Sequence, residues 1–194
     1  DAVEREGSVT IGVNNDSRGL NITYSPDVLQ SMERENLARV SNPEVKTPTL
    51  DAVFSINATE LQSMFSATIG IKKTIDSGRL ESVSEEQFDG VEVTKLRFKL
   101  PESNLDKRQR KYIKRYEAYV DVYVGKDGVP LHSEEITKIN GRAFLVVRFE
   151  SEVLEKKWYD VVNKRLVVSR KEYSSSNSGG GESSKFKSVK NLVF

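Results

Sequence analysis

The sequence predicts an α+β fold in which a single curved antiparallel β-sheet, a half-barrel-like meander, packs against two or three early helices. Three observations predict this class. Helical periodicity is confined to the first part of the chain, and from Arg79 onward apolar and polar residues alternate over short segments. The segments are joined by tight turns such as Asp89-Gly90 and Asn140-Gly141. Because parallel crossovers need much longer connections, we expect successive strands to pair as antiparallel neighbours.

The first elements are predicted to be a β-hairpin followed by a helix. Apolar residues alternate on both sides of the turn-forming segment 14–19, which is typical of a hairpin over residues 8–24. Ser25 is placed as an N-cap and Pro26 as the first helical residue. A short helix is therefore expected directly after the hairpin.

A second, longer helix is predicted before the sheet. Thr59 and Gln62 have the spacing of a capping box, and Ser77-Gly78 has the composition of a helix end. Residues 53–56 fit either a short strand or a helical start. Between the two ends, apolar residues recur at helical spacing, namely Leu61, Met64, Phe65, Ile71 and Ile75. This stripe is expected to pack on a sheet face.

The clearest strand lies in the stretch 116–139. Its two faces differ, with Ala118, Val120, Val122 and Val124 on one side and Glu117, Tyr119, Asp121 and Tyr123 on the other. Further alternating segments follow as far as Phe194. The serine- and glycine-rich segment 174–184 is interpreted as a flexible loop, and residues 1–194 are predicted to form a single domain.

Composition excludes several classes of function. The 194 residues carry a net charge of +1, with 37% hydrophobic and 30% charged residues. So balanced a charge gives no global attraction to nucleic acid, and we expect no nucleic-acid partner. The chain has no cysteine, which excludes disulfides, thiolate metal sites and cysteine nucleophiles. No apolar run approaches the roughly 20 residues of a transmembrane segment, and no cofactor motif is present.

The localisation expected from the sequence is the periplasm. The sequence starts at Asp1 rather than methionine, so either a signal peptide has been removed or the sequence is a trimmed piece, and removal is favoured. Anchoring to a membrane through a removed N-terminal segment is the alternative.

No catalytic or metal-binding residue is predicted, and a non-enzymatic role is favoured. His132 is the single histidine, and Glu134 lies two residues further on the same strand face. Two ligands on one strand do not make a metal site, so His132 is interpreted as a surface residue. A hydrolase built on carboxylates would need two of them facing each other across a cleft, which a sequence cannot show.

One basic segment stands out between two predicted strands. It could contact anionic lipid headgroups or an acidic partner, although a solvated flap is the simpler interpretation. This basic flap comprises Lys107, Arg108, Arg110, Lys111, Lys114 and Arg115.

The order of elements resembles that of the bacterial lipoprotein-carrier and lipoprotein-receptor half-barrels, the LolA-like fold. The stretches that carry the resemblance are "DVYVGKDGVPLHSEEI", "INGRAFLVVRF", "NKRLVVSRKEY" and "VKNLVF", within residues 90–194. The early hairpin departs from that pattern, because a helix is expected first. The resemblance implies a periplasmic protein with a hydrophobic concave face under a helical lid.

Two functions follow as hypotheses. The first is binding of a lipid or a lipoprotein acyl chain in a cavity between sheet and helix. The second is a protein–protein adaptor of the bacterial envelope, with a solid core and no ligand. The predicted cavity lining is Leu61, Met64, Phe65, Ile71, Tyr119, Tyr123 and Phe144.

Overall fold

The computed structural model describes residues 6–143 and 147–194. The chain divides into two compact units, the first ending at Phe65 and the second spanning Ser66–Phe194. Phe144, one of the predicted cavity residues, lies outside the described residues.

The first unit contains a hairpin and three helices. A hairpin is present as predicted, since β1 (Gly12–Asp16) pairs antiparallel with β2 (Gly19–Thr23). Its bounds were wrong, because most of the predicted turn 14–19 is strand and the turn itself is residues 17–18. The helices are α1 (Pro26–Ser41), α2 (Pro48–Phe54) and α3 (Ala58–Met64).

The helix ends of the first unit are capped by side chains. Ser25 caps α1 as predicted, accepting a hydrogen bond from the Val28 amide at 3.3 Å. Glu35 reaches from α1 to α2, where its carboxylate accepts hydrogen bonds from the Thr49 and Leu50 amides at 3.0 and 2.9 Å. Burial alone would raise the pKa of Glu35, but these hydrogen bonds outweigh it and lower the pKa. The charged carboxylate of Glu35 thus connects α1 to the N-terminus of α2.

The second unit consists of one helix and a seven-stranded sheet. Helix α4 (Ala67–Ser77) comes first, and the single turn α5 (Lys107–Arg110) follows a short 3₁₀ segment, Glu102–Asn104. The strands are β3 (Arg79–Phe88), β4 (Val91–Lys99), β5 (Ile113–Val124), β6 (Pro130–Ala143), β7 (Val147–Val162), β8 (Arg165–Gly179) and β9 (Glu182–Asn191).

The sheet confirms the predicted fold class. Every strand pairs antiparallel with its neighbours in the chain, so the spatial order is β3-β4-β5-β6-β7-β8-β9. The sheet does not close into a barrel. The predicted Asp89-Gly90 turn has φ values of 49° and 78°, as a two-residue hairpin turn requires.

Two local predictions were wrong. The continuous helix expected from Thr59 to Ile75 is two helices, α3 and α4, because the backbone leaves the helical region at Ser66. The N-cap of α3 is Asn57, whose side chain accepts from the Thr59 and Glu60 amides. The segment 174–184 is not a loop, since all but Gly180 and Gly181 belong to strands β8 and β9.

The core of the second unit lies on one face of the sheet. It comprises Phe98, Leu100, Ala118, Val120 and Val122, from β4, β5 and the residue after β4. The alternation in β5 therefore separates the two faces of the strand, and Ala118, Val120 and Val122 are the buried apolar set. Helix α4 lies on this face, because its Lys73 is close enough to Glu135 to act on the pKa of that carboxyl, and Glu135 is paired with Val120.

Candidate functional site

The sheet has two faces of different chemistry. We call the side of Ala118, Val120 and Val122 the valine face, and the side of Tyr119 and Tyr123 the tyrosine face. The strand register carries both assignments across the sheet, since directly paired residues point to the same side. An aromatic cluster lies on the tyrosine face, whereas an exposed apolar strip and a pair of carboxylates lie on the valine face.

The tyrosine face carries an aromatic cluster centred on His132. Its members are Phe88, Tyr123, His132 and Trp158, contributed by four different strands. The imidazole stacks on the Phe88 ring with centroids 4.5 Å apart and lies 4.6 Å from the Trp158 ring. His132 is only 1% exposed. The interpretation of His132 as a surface residue was therefore wrong.

Contact between Phe88 and His132 requires a curled sheet. Neighbouring strands lie about 4.8 Å apart, so β3 and β6 would be roughly 14 Å apart in a flat sheet. The ring centroids are only 4.5 Å apart. The β3–β4 hairpin tip must therefore bend over the tyrosine face, where it covers His132 and also buries Val93.

Burial and a neighbouring carboxylate determine whether His132 is protonated. Its Nε2 atom lies 3.2 Å from Glu134 Oε1, and Lys156 Nζ lies 2.8 Å from the same carboxylate. Burial lowers the pKa of His132 below its usual value, although the hydrogen bond to Glu134 acts in the opposite direction. The Nδ1 atom is buried without a hydrogen-bond partner of normal geometry. His132 is thus neutral at pH 7, and its ring is enclosed by the aromatic side chains around it.

An ion-pair network borders the aromatic cluster. Arg97 and Asp121 form a bidentate pair in which both nitrogen–oxygen distances are 2.7 Å. Lys95 lies 3.4 Å from both Asp121 and Glu86, and 5.4 Å from the centroid of the Tyr123 ring. Because these charges satisfy one another, this part of the tyrosine face forms a rigid border rather than a binding site for an ion.

The valine face remains open at its β3 end. Two rows of paired residues run from the core to the edge of the sheet, and their outermost members are Leu80 and Val83. We call these two residues the open strip. Leu80 is 50% exposed and Val83 is 56% exposed, whereas Phe98, the partner of Leu80, is 6% exposed. Apolar surface therefore continues outward from the core without cover.

A pair of facing carboxylates lies elsewhere on the valine face. Glu135 on β6 is paired directly with Glu155 on β7. Burial, and then the charge of Glu155, raise the pKa of Glu135. Burial would also raise the pKa of Glu155, but contacts with Lys157 and Lys171 outweigh it and lower the pKa. One carboxyl is thus biased toward protonation and its neighbour toward ionisation, the arrangement of a general acid beside a base.

Two buried hydroxyls lie in the same region. Ser133 Oγ and Tyr159 Oη are 2.7 Å apart, on neighbouring strands. Burial raises the pKa of Tyr159 to about 12, so its hydroxyl stays protonated. The region around the carboxylate pair is therefore polar but largely satisfied.

An open depression lies within the first unit. It has a volume of about 330 Å³ and is lined by residues 8–10, α1 and Thr49. Its lining is mainly hydroxyl groups together with Asp27 and two valines. Nothing in this lining forms a catalytic arrangement.

The predicted cavity residues are distributed over both units. Leu61 and Met64 are buried in α3 of the first unit, and Phe65, which follows them, is half-buried. Ile71 is half-buried on α4, on the valine side of the sheet. The remaining described members, Tyr119 and Tyr123, are half-buried on the opposite, tyrosine face. The structure therefore does not bring Ile71 and the tyrosines onto one side of the sheet.

The basic flap is split between α5 and the start of β5. Arg115 is engaged with Glu117 at 2.7 Å, and Arg110 has a buried Nε atom without a hydrogen-bond partner. Lys107, Lys111 and Lys114 are exposed, and Arg108 lies within α5. The segment thus offers exposed lysines rather than one continuous cationic surface.

Sequence reasoning missed the two clusters that the structure assembles. The aromatic cluster and the carboxylate pair both depend on strand register, which brings together residues far apart in the chain. The one signal available was the fixed hairpin length at residues 125–128, which aligns Tyr123 with His132.

Within the described ranges 6–143 and 147–194, no helix is both long and apolar enough to cross a membrane. Comparisons with protein-family models, with curated proteins and with solved structures found no match for this chain.

Proposed function

We propose that this chain is a non-catalytic protein of the periplasm or bacterial envelope that binds a lipid or another apolar ligand on the valine face beside α4. The observation that carries the proposal is the open strip, where half-exposed Leu80 and Val83 extend the buried core rows. An acyl chain lying there would remove its own methylenes and these side chains from water. Each buried methylene contributes about 0.8 kcal/mol, so affinity needs no catalytic group.

The cellular location is part of the same proposal. The resemblance to lipoprotein carriers is what supports the periplasm, because the absence of cysteine fits the bacterial cytoplasm and the periplasm alike. A ligand with a lipoprotein acyl chain would fit both the location and the apolar strip.

Binding of a fluorescent 18-carbon fatty acid tests the proposal. We expect Val83→Asp to weaken binding about tenfold or more, because the substitution places a charge where the chain would lie. Val91→Asp is the matched control, since Val91 is a valine of similar exposure, 51%, on the opposite face. Fluorescence titration of both variants and the parent protein gives the dissociation constants.

Two results would contradict ligand binding at the strip. One is equal weakening by both valine substitutions, which would indicate a non-specific effect of charge. The other is a protein purified without detergent that carries no lipid by native mass spectrometry and binds no fatty acid. That second result would favour the alternative, an envelope protein–protein adaptor without a ligand.

A carboxylate-based hydrolase is the second candidate, and the facing pair of Glu135 and Glu155 is the observation that favours it. If the pair is catalytic, Glu135→Gln and Glu155→Gln should each lower the rate on chromogenic ester or glycoside substrates by about 100-fold or more. Glu152→Gln is the control, because Glu152 lies on the same strand as Glu155 but on the tyrosine face. Absence of turnover by the parent protein would exclude this candidate for the substrates used.

A further inference from the structure

The sheet of the second unit ends in two long strands with unpaired outer edges. β3 (Arg79–Phe88) and β9 (Glu182–Asn191) each have ten residues, and no described strand pairs with the outer side of either. Unpaired amide and carbonyl groups along such an edge are a template for pairing with another strand. What distinguishes one edge from the other is charge.

The two edges carry opposite charge. β3 contains three glutamates, Glu81, Glu85 and Glu86, against one arginine. β9 contains three lysines, Lys185, Lys187 and Lys190, against one glutamate. The acidic edge and the basic edge lie at opposite ends of one sheet.

These charges determine which edge strands of two copies can pair. Two acidic edges repel each other, as do two basic edges, because like charges directly opposite destabilise strand pairing. An acidic edge beside a basic edge is favoured for the same reason. The charges thus disfavour pairing of β3 with another β3, and of β9 with another β9, but permit pairing of β3 with β9.

Apolar residues accompany the charges at both edges. Leu80 and Val83 on β3 and Phe186 on β9 are half-exposed and lie on the valine face. Six antiparallel steps separate β3 from β9, so the two strands run in the same direction. A second copy in the same orientation would therefore place its β9 parallel to β3, with Phe186 on the side of Leu80 and Val83.

We propose that this chain associates with a second copy of itself by pairing the acidic edge strand β3 of one copy with the basic edge strand β9 of the next. The contact is heterologous, since different surfaces meet. A pair of copies still has one free acidic edge and one free basic edge, so association continues into chains or closed rings. This inference does not depend on ligand binding at the open strip.

A charge exchange between the edges tests the proposal. One variant is Lys185→Glu with Lys187→Glu, which gives a protein with two acidic edges. The other is Glu81→Lys with Glu85→Lys, which gives a protein with two basic edges. Sedimentation velocity should show concentration-dependent association of the parent protein. For each variant alone, the dissociation constant of this association should be higher by about tenfold or more. An equimolar mixture of the two variants should associate again, because acidic edges then meet basic ones.

The mixture is the decisive sample. Restored association in the mixture supports edge pairing and cannot arise from a general loss of folding. A parent protein that stays monomeric at all concentrations would overturn the proposal, as would variants that associate like the parent. If a variant loses its native circular dichroism, the neutral pair Lys185→Gln and Lys187→Gln replaces it, and association should then be weakened but still present. All these variants keep Leu80 and Val83, and the fatty-acid titration is run at protein concentrations where the parent protein is monomeric, so that it measures ligand binding separately from association.

Discussion

Replacing Phe98 with alanine should lower the free energy of unfolding by about 3–5 kcal/mol. The Phe98 side chain is 6% exposed and belongs to the core cluster on the valine face. Its removal leaves a cavity among Leu100, Ala118 and Val120, which strands held by hydrogen bonds on both sides cannot close. Urea denaturation monitored by tryptophan fluorescence measures the change, because Trp158 is the single tryptophan.

Leu80→Ala is the matched control for this prediction. Leu80 is paired directly with Phe98 and points to the same face, but it is 50% exposed. Because half of its surface already contacts water, we expect a loss of less than about 1 kcal/mol. Similar losses at both positions would mean that the strip is covered in solution, and the basis for ligand binding there would be gone.

The sequence predicts the parts of this fold that local pattern controls. Alternation in β5 separates the two faces of the sheet, and the Asp89-Gly90 turn marks a true hairpin. Both signals arise within a few residues of the chain, where side-chain periodicity and turn geometry act directly. The capping of α1 by Ser25 is of the same kind.

Predictions failed where distant strands decide the outcome. Serine-rich residues of β8 have weak strand preference, but Ser174–Gly179 pair with β7 on one side and β9 on the other. Those ladders outweigh the local preference for a loop. The break between α3 and α4 was missed for a different reason, since apolar spacing continues across Ser66 while the backbone there does not.

The candidate sites were less predictable than the fold. Burial of His132 depends on Phe88, which reaches it only because the sheet curls over three strand intervals. The pairing of Glu135 with Glu155 depends on the register of β6 against β7. Apart from the hairpin at residues 125–128, which aligns Tyr123 with His132, neither curl nor register leaves a local pattern in the sequence. Residues of ordinary appearance therefore become clusters only in the folded chain.

The stability of the protein should decrease as the pH falls below about 6.5, and His132 should be the cause. Burial lowers the pKa of His132 in the folded state, while the unfolded chain keeps the usual value of 6.5. At a pH between these two pKa values, His132 is protonated in the unfolded state but not in the folded state. Protonation therefore favours unfolding, and the loss of stability grows until the pH passes the folded-state pKa. Urea denaturation at a series of pH values measures the slope.

Glu135 acts on stability with the opposite sign. Its folded-state pKa is raised above 4.5, so the folded state binds a proton more readily than the unfolded chain. This contribution to stability is fully present below pH 4.5 and is lost as the pH rises through the folded-state pKa. The variant Glu135→Gln removes it, so the slope that remains above pH 4.5 can be assigned to His132 with less interference.

His132→Phe separates the effect of titration from that of packing. The variant keeps an aromatic ring next to Phe88 and Trp158 but cannot bind a proton, so the slope just below pH 6.5 should disappear. His132→Ala should instead cost about 2–4 kcal/mol even at pH 7.5, because it leaves a cavity inside the aromatic cluster. Glu134 and Lys156 remain paired in both variants, which keeps the neighbouring charges constant. If the slope persists in His132→Phe, the pH dependence arises from another group, and the stacking of Phe88 on His132 does not control it.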